Sequence, residues 1–259
     1  WTKVPRPRAP RGRGAGRAGR EGARMNVVDI AILLILAITV LGGWYRGFVS
    51  AALGVMATLL AWIIAAVCIS PVAGLIKGSD ELYGMMLYYT EGAEYVAVTD
   101  VELTRTPISE VSLEELSLVI ENADMPLPMG DRVARNVAAE AFAADGITTL
   151  GDYFNQTIVC VVINIVSLLA VFLAARLVIG FVIECVAHGR GGFPALARLD
   201  GPVGAGVGLI HGVLLLFLLF LLAPIALTVL PKLYEFIEES FFGEFFYRAN
   251  FFLMLIPGT

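Results

Sequence analysis

The sequence predicts an all-α membrane protein: four transmembrane helices, a helical polar cap between the second and third, and an interfacial C-terminal helix. Three observations predict it. Of the 259 residues 58% are hydrophobic and only 16% charged, whereas average soluble domains carry roughly 25% charged residues. The mean hydropathy is +0.80. Four apolar runs approach or exceed the roughly 20 residues needed to cross a hydrocarbon layer. The charges are also segregated: residues 1–24 hold eight basic residues and one acid, while residues 77–155 hold fifteen acids and four bases.

Residues 1–24 are Arg, Gly, Pro and Ala with almost nothing to build a core, so they are expected to be a disordered basic tail. Two readings of the tail stand side by side. It is a basic arm for RNA or lipid headgroups, or it is sequence upstream of a start at Met25, just before the first apolar run.

Residues 25–76 hold the first two spans. The first runs from about Val27 to Trp44 with Asp29 near its start. The second, from about Phe48 to Ile76, is free of charge, and Pro71 is expected to bend or end it. Residues 77–155 form an acidic extramembrane loop. Ser112-Leu113-Glu114-Glu115 has the form of a capping box before an amphipathic run. Pro126 and Pro128 stop that helix, and Asp131 opens another, reaching about Ala144. Between Glu91 and Leu103 a short extended piece is expected. The acids match no calcium-loop spacing and no histidine accompanies them, so a solvated face is expected and no metal.

Residues 156–230 hold the third span, about Thr157 to Ile183, and the fourth, about Pro202 to Leu230. Gly204, Gly208 and Gly212 recur every four residues and lie near one face, the small-residue spacing that lets two helices approach closely in lipid. Ala57, Ala61 and Ala65 make a weaker stripe. The spacing leaves open whether the partner is in this chain or a second copy. Residues 231–259 read as an amphipathic interfacial segment, with Phe236, Ile237, Phe241 and Phe245 on one helical face. Cys68, Cys160 and Cys185 show no ligand spacing and read as small apolar side chains.

Three polar residues lie within the apolar runs: Asp29, Arg176 and His211. Such residues are candidates for function in a membrane. Each also has a plainer reading: an acid near a helix N-terminus, a snorkelling arginine or one paired with Glu184 or Asp200, and a histidine bonded to a neighbouring carbonyl. By the positive-inside rule, the connection bearing Arg46 and the one bearing His188, Arg190 and Arg198 face the cytoplasm. Both termini and the acidic loop are then outside; a native basic tail would argue for the reverse.

The opening Met25-Asn26-Val27-Val28-Asp29-Ile30 and the turn Arg46-Gly47-Phe48 resemble the start of the colicin V production protein (CvpA) family. Leu199-Asp200-Gly201-Pro202-Val203-Gly204, continuing through Gly208 and Gly212, is similar to that family's entry into its last span. Tyr247-Arg248-Ala249-Asn250 resembles its C-terminal element. Gly201 and His211 depart from the basic residues usual there. The resemblance implies a bacterial cytoplasmic (inner) membrane protein linked to production or export of a peptide toxin and brings no enzymatic activity. The expected function is a membrane accessory protein acting by contacts; the alternative is a small oligomeric transporter or channel. An intramembrane enzyme is disfavoured, since the sequence has no HExxH, no GxSx and no paired intramembrane aspartates. Expected partners are the lipid bilayer and other membrane or export proteins, with a homo-oligomer as a further expectation and no nucleic acid. No cofactor is expected.

Overall fold

A computed structural model describes residues 25–123, 125–187, 200–230 and 232–259. The basic tail, Leu199, and the basic connection with His188, Arg190 and Arg198 lie outside the described residues. Those described are almost entirely helical, with one isolated bridge between Pro107 and Thr149. Three helices are long and apolar enough to cross a membrane: α1 (Val27–Lys77), α6 (Leu150–Ala187) and α7 (Asp200–Leu219), whose apolar stretch continues to Thr228.

Helix α1 starts where its sequence supplies a full capping box. The Asn26 side chain caps the first turn and the Asp29 carboxylate accepts from the Asn26 backbone N–H at 3.0 Å. Its 51 residues are not one rod. Gly47 has φ 77° and ψ 170°, and the contacts show the chain turning back there. Along α7, residues 204, 208 and 212 meet residues 47, 43 and 39 in descending order, while His211 meets Gly54 and Thr58. Both arms of α1 therefore run away from the start of α7 in the same direction. Pro71 does not end the second arm, which continues to Lys77.

The acidic segment folds as α2 (Asp80–Tyr89), α3 (Ala93–Ala97), α4 (Leu113–Asn122) and α5 (Met129–Ala138). Ser112 caps α4 by accepting from the Glu115 N–H at 3.1 Å. The extended piece expected after Glu91 is instead the helix α3. The N–H groups of its N-cap Gly92 and of Ala93 both donate to Asn155 Oδ1, at 2.5 and 2.6 Å, and this cap supplied by α6 overrides the β-branched local sequence. The second cap helix ends at Ala138, short of Ala144, and a 3-10 turn follows before Gly146 at φ 76°. Val96, Leu116, Val119, Val133, Phe142, Tyr153 and Phe154 form the cap's core against the start of α6.

The expected fourth span is broken at Phe220–Leu222, a 3-10 turn, before α8 (Ala223–Val229). Pro224 explains this, since its ring clashes with the carbonyl four residues back and it donates no hydrogen bond. The C-terminal segment is three short helices rather than one: α9 (Lys232–Glu238), α10 (Phe241–Arg248) and α11 (Phe251–Met254). Ser240 and Asn250 cap the last two through the N–H groups of Gly243 and Phe252. The face imagined from sequence is therefore split: Ile237 is buried, while Phe236, Phe241 and Phe245 are exposed. Phe246, Tyr247, Phe252, Leu253 and Ile256 turn inward instead, onto Trp62, Phe217 and the buried face of α6. Lipid tails are as apolar as these side chains, so within a bilayer this contact would be held by packing and polar bonds rather than by hydrophobic transfer. Outside lipid, the cap would be held mainly by burial of its apolar core.

Candidate functional site

The two segments that carry chemistry-bearing motifs, 152 residues apart, meet where α1 reverses. Gly47 adopts a backbone conformation open essentially to glycine alone. The turn aims the Phe48 N–H at Asp200 Oδ1, 2.6 Å away. Asp200 opens α7 and Phe48 opens the second arm of α1, so one carboxylate serves two helix N-termini, where negative charge is favoured. A Cβ on Gly47 would stand 2.2 Å from Asp200 Oδ2. Arg46 is exposed beside the turn, and the Trp44 ring covers Gly201, 3.3 Å from where its Cβ would be. Leu199 lies outside the described residues.

From this turn the glycine face of α7 runs down the first arm of α1. Gly204, Gly208 and Gly212 are all buried. A Cβ on Gly204 would come 2.4 Å from the Gly43 carbonyl oxygen, and one on Gly208 2.4 Å from that of Thr39. One on Gly212 would strike the Thr39 hydroxyl. The partner of the glycine face is therefore the same chain. On α7's other side His211 is half-buried, its Nε2 3.1 Å from Thr58 Oγ1. Thr58 has one hydroxyl proton and gives it to the Gly54 carbonyl at 3.0 Å. It is then left to accept, which assigns the His211 proton to Nε2.

Asp29 lies in a separate cluster and is 2% exposed. Its Oδ1 accepts from the Ser240 hydroxyl at 2.7 Å and from the Phe242 N–H at 2.9 Å, and its Oδ2 accepts from Asn26. Asn26 in turn donates through Nδ2 to the Phe236 carbonyl at 2.8 Å. The carboxylate thus ties the start of α1 to the start of α10. Arg176 makes no hydrogen bond to either cluster among the described residues but lies within electrostatic range of His211. It is half-buried on α6, its Nη1 3.2 Å from the Cβ position of Gly180, and it makes no ion pair among the described residues. Leu36, which meets Gly212, is seven residues beyond Asp29, about 10 Å along the helix axis. Asp29 therefore does not share a cavity with His211, whereas Arg176 lies within electrostatic range of His211.

Several polar anchors escape sequence reasoning. Buried Asn250 donates to the Phe217 carbonyl at 2.8 Å, and the Tyr247 hydroxyl accepts from the Leu127 N–H at 2.7 Å. These two residues thereby bind the C-terminal segment to α7 and to the cap. Asn164, inside the apolar stretch of α6, donates to the carbonyls of Pro257 and Thr259 at 2.9 and 3.2 Å. Asn136 donates to Thr157 Oγ1 and to the Gly258 carbonyl, both at 2.9 Å. A signal existed for Asn164, a carboxamide within an apolar run, and for Tyr247 and Asn250, which sit in the segment resembling a family element, but the partners are too distant in sequence to be read from it. Among the described residues no three His, Cys, Asp or Glu side chains gather as metal ligands, and the three cysteines are free.

Residues 28–99 match the model of the colicin V production protein family. The match spans both arms of α1 with Asp29, Arg46, Gly47 and Phe48, and it extends through α2 and α3. The segments at 199–212 and 247–250 lie outside it. No curated protein and no solved structure matches the chain.

Proposed function

From the premise that this chain carries a colicin V production domain, we propose that it is a multi-pass accessory protein of a bacterial cytoplasmic membrane. It supports production or export of a peptide toxin, and envelope function, by contacts with other proteins rather than by catalysis. The observation that carries this reading is the separation of Asp29 from His211, each held by its own hydrogen-bond partners. Asp29 is taken up by Ser240, Phe242 and Asn26, and His211 by Thr58. A transporter or channel would need Asp29, Arg176 and His211 to line one watered path.

In this reading the chain crosses four times. The arms of α1, residues 27–46 and 48–77, have lengths of about 30 and 45 Å at 1.5 Å per residue, enough for separate crossings. The turn with Arg46 and the connection with His188, Arg190 and Arg198 face the cytoplasm. The cap and both termini face outward.

Two measurements test this. In a toxin-exporting bacterium, deleting the gene should lower exported toxin, and the wild-type chain should restore it; unchanged export overturns the functional reading. For orientation, single cysteines replace Ser112, Gly192 or Glu239 in a chain whose three native cysteines are serine. Ser112→Cys and Glu239→Cys should react with an impermeant maleimide from outside, and Gly192→Cys only after permeabilisation. The opposite pattern places the cap in the cytoplasm.

A further inference from the structure

Between α2 and α3 of the cap and the end of α8 lies a half-open groove of about 440 Å³, within the size range of small-molecule sites. Tyr88, Tyr89, Tyr95, Glu91 and Glu94 line it, with Leu227 and Thr228 on the side of the apolar bundle. No Lys, Arg or His is among its described lining residues. The Tyr88 and Tyr89 rings stand 5.2 Å apart at 86° to each other and form a right-angled corner. Both are largely exposed, at 79% and 64%. Glu91 and Glu94 are exposed too and make no ion pair among the described residues.

The walls are held in place from behind. Asn155 of α6 accepts from the N–H groups of Gly92 and Ala93, between the two glutamates. A Cβ on Gly92 would come 2.7 Å from the Phe154 carbonyl oxygen, so this backbone lies directly on α6. Thr90 is buried and donates to the Met86 carbonyl at 2.6 Å, and Val96 is fully buried beneath. Burial, with a smaller contribution from the Glu94 carboxylate, raises the Tyr95 phenol above its ordinary range and keeps it neutral at physiological pH. Aromatic faces at a right angle beside two carboxylates, with no cation among the described lining residues, have the chemistry of a cage for a positive organic group.

We propose that this groove binds an organic ammonium ion, with the Tyr88 and Tyr89 rings as its walls and Glu91 and Glu94 as its counter-charges. The ammonium can come from a lipid headgroup at the membrane edge or from a soluble amine. The inference does not depend on the accessory reading and would hold for a protein with another partner.

The test uses the full chain in a detergent with an uncharged sugar headgroup and measures binding of choline by saturation-transfer NMR and titration calorimetry. Choline should bind saturably, and its neutral isostere 3,3-dimethylbutanol about tenfold more weakly or worse. The double variant E91Q/E94Q and the double variant Y88A/Y89A should each weaken choline by about tenfold or more, while Y88F retains binding. All four substituted sites are exposed, so thermal unfolding of the free variants should match wild type and separate loss of binding from loss of fold. Absence of saturable choline binding, equal binding of the isostere, or unchanged binding by E91Q/E94Q overturns the proposal. Repeating the titration in nanodiscs of phosphatidylethanolamine against phosphatidylglycerol separates the sources. Competition by the ethanolamine lipid assigns the site to a headgroup, and equal binding in both assigns it to a soluble amine; each supports an ammonium site.

Discussion

Replacing Gly47 with alanine perturbs the turn of α1 in two ways whose sizes can be set separately. Its φ of 77° with ψ of 170° is a region essentially closed to residues bearing a Cβ, and such strain costs about 1–3 kcal/mol. The new methyl would also lie 2.2 Å from Asp200 Oδ2. The carboxylate must swing away and release the Phe48 N–H, and loss of such a cap costs about 0.5–2 kcal/mol. Together these predict a loss of about 2–4 kcal/mol, or about 5–15 °C in Tm for a chain of this size. The assay is thermal unfolding of the detergent-purified protein. Asp200→Ala alone should cost about 0.5–2 kcal/mol. In G47A/D200A the collision is gone and only the strain and one lost cap remain. The double variant should therefore fall short of the sum of the singles by about 1 kcal/mol. If G47A unfolds within about 2 °C of wild type, or if the two changes add, the coupling inferred between Gly47 and Asp200 is wrong.

Three further outcomes are expected. Gly204→Val should lower the yield of folded protein and its Tm sharply, because the Gly43 carbonyl cannot retreat from a Cβ 2.4 Å away. Gly206→Ala, with nothing within 4 Å, should leave Tm unchanged or raise it, as alanine is about 1 kcal/mol better in a helix; equal damage at both positions would rule out the packing argument. Asp29→Asn should cost about 1–3 kcal/mol by setting an amide donor against the Asn26 N–H, and Ser240→Ala should be non-additive with it; strictly additive unfolding energies would separate the two residues. In a near-ultraviolet titration, Tyr95→Phe should remove a component ionising above the ordinary phenol value. The sign follows from burial favouring the neutral phenol: its contribution to stability is full below the ordinary value and is lost as pH rises from there through the folded value. A wild-type curve unchanged by Y95F would contradict the burial.

What could be read from the sequence was whatever depends on neighbours along one helix. The apolar runs, the Ser112 cap, the register of Gly204, Gly208 and Gly212, and the position of Asp29 beside a helix start are all local patterns. The identity of the helix lying on the glycine face was not legible, because a stripe of small residues specifies closeness and not a partner. Asp200 could be placed in the motif that enters the last span and named as a candidate partner of Arg176, but not as the partner of Phe48, a bond that crosses 152 positions. The α3 helix was misread as extended because its local preference is real, and Asn155 overrules it from another helix. The C-terminal aromatics were assigned to one face because nothing local shows that Ser240 and Asn250 interrupt the helix.

The Asp29 cluster also bears on the order in which the chain is made. The carboxylate and its partner Ser240 are separated by 211 residues. At a synthesis rate of about 5–20 residues per second, the first helix waits roughly 10–40 s for that partner to emerge. Throughout the interval the acid can rely on the Asn26 N–H, three residues away. The capping box therefore acts as a placeholder, keeping the charge at the helix mouth until the opposite end of the protein arrives to claim it.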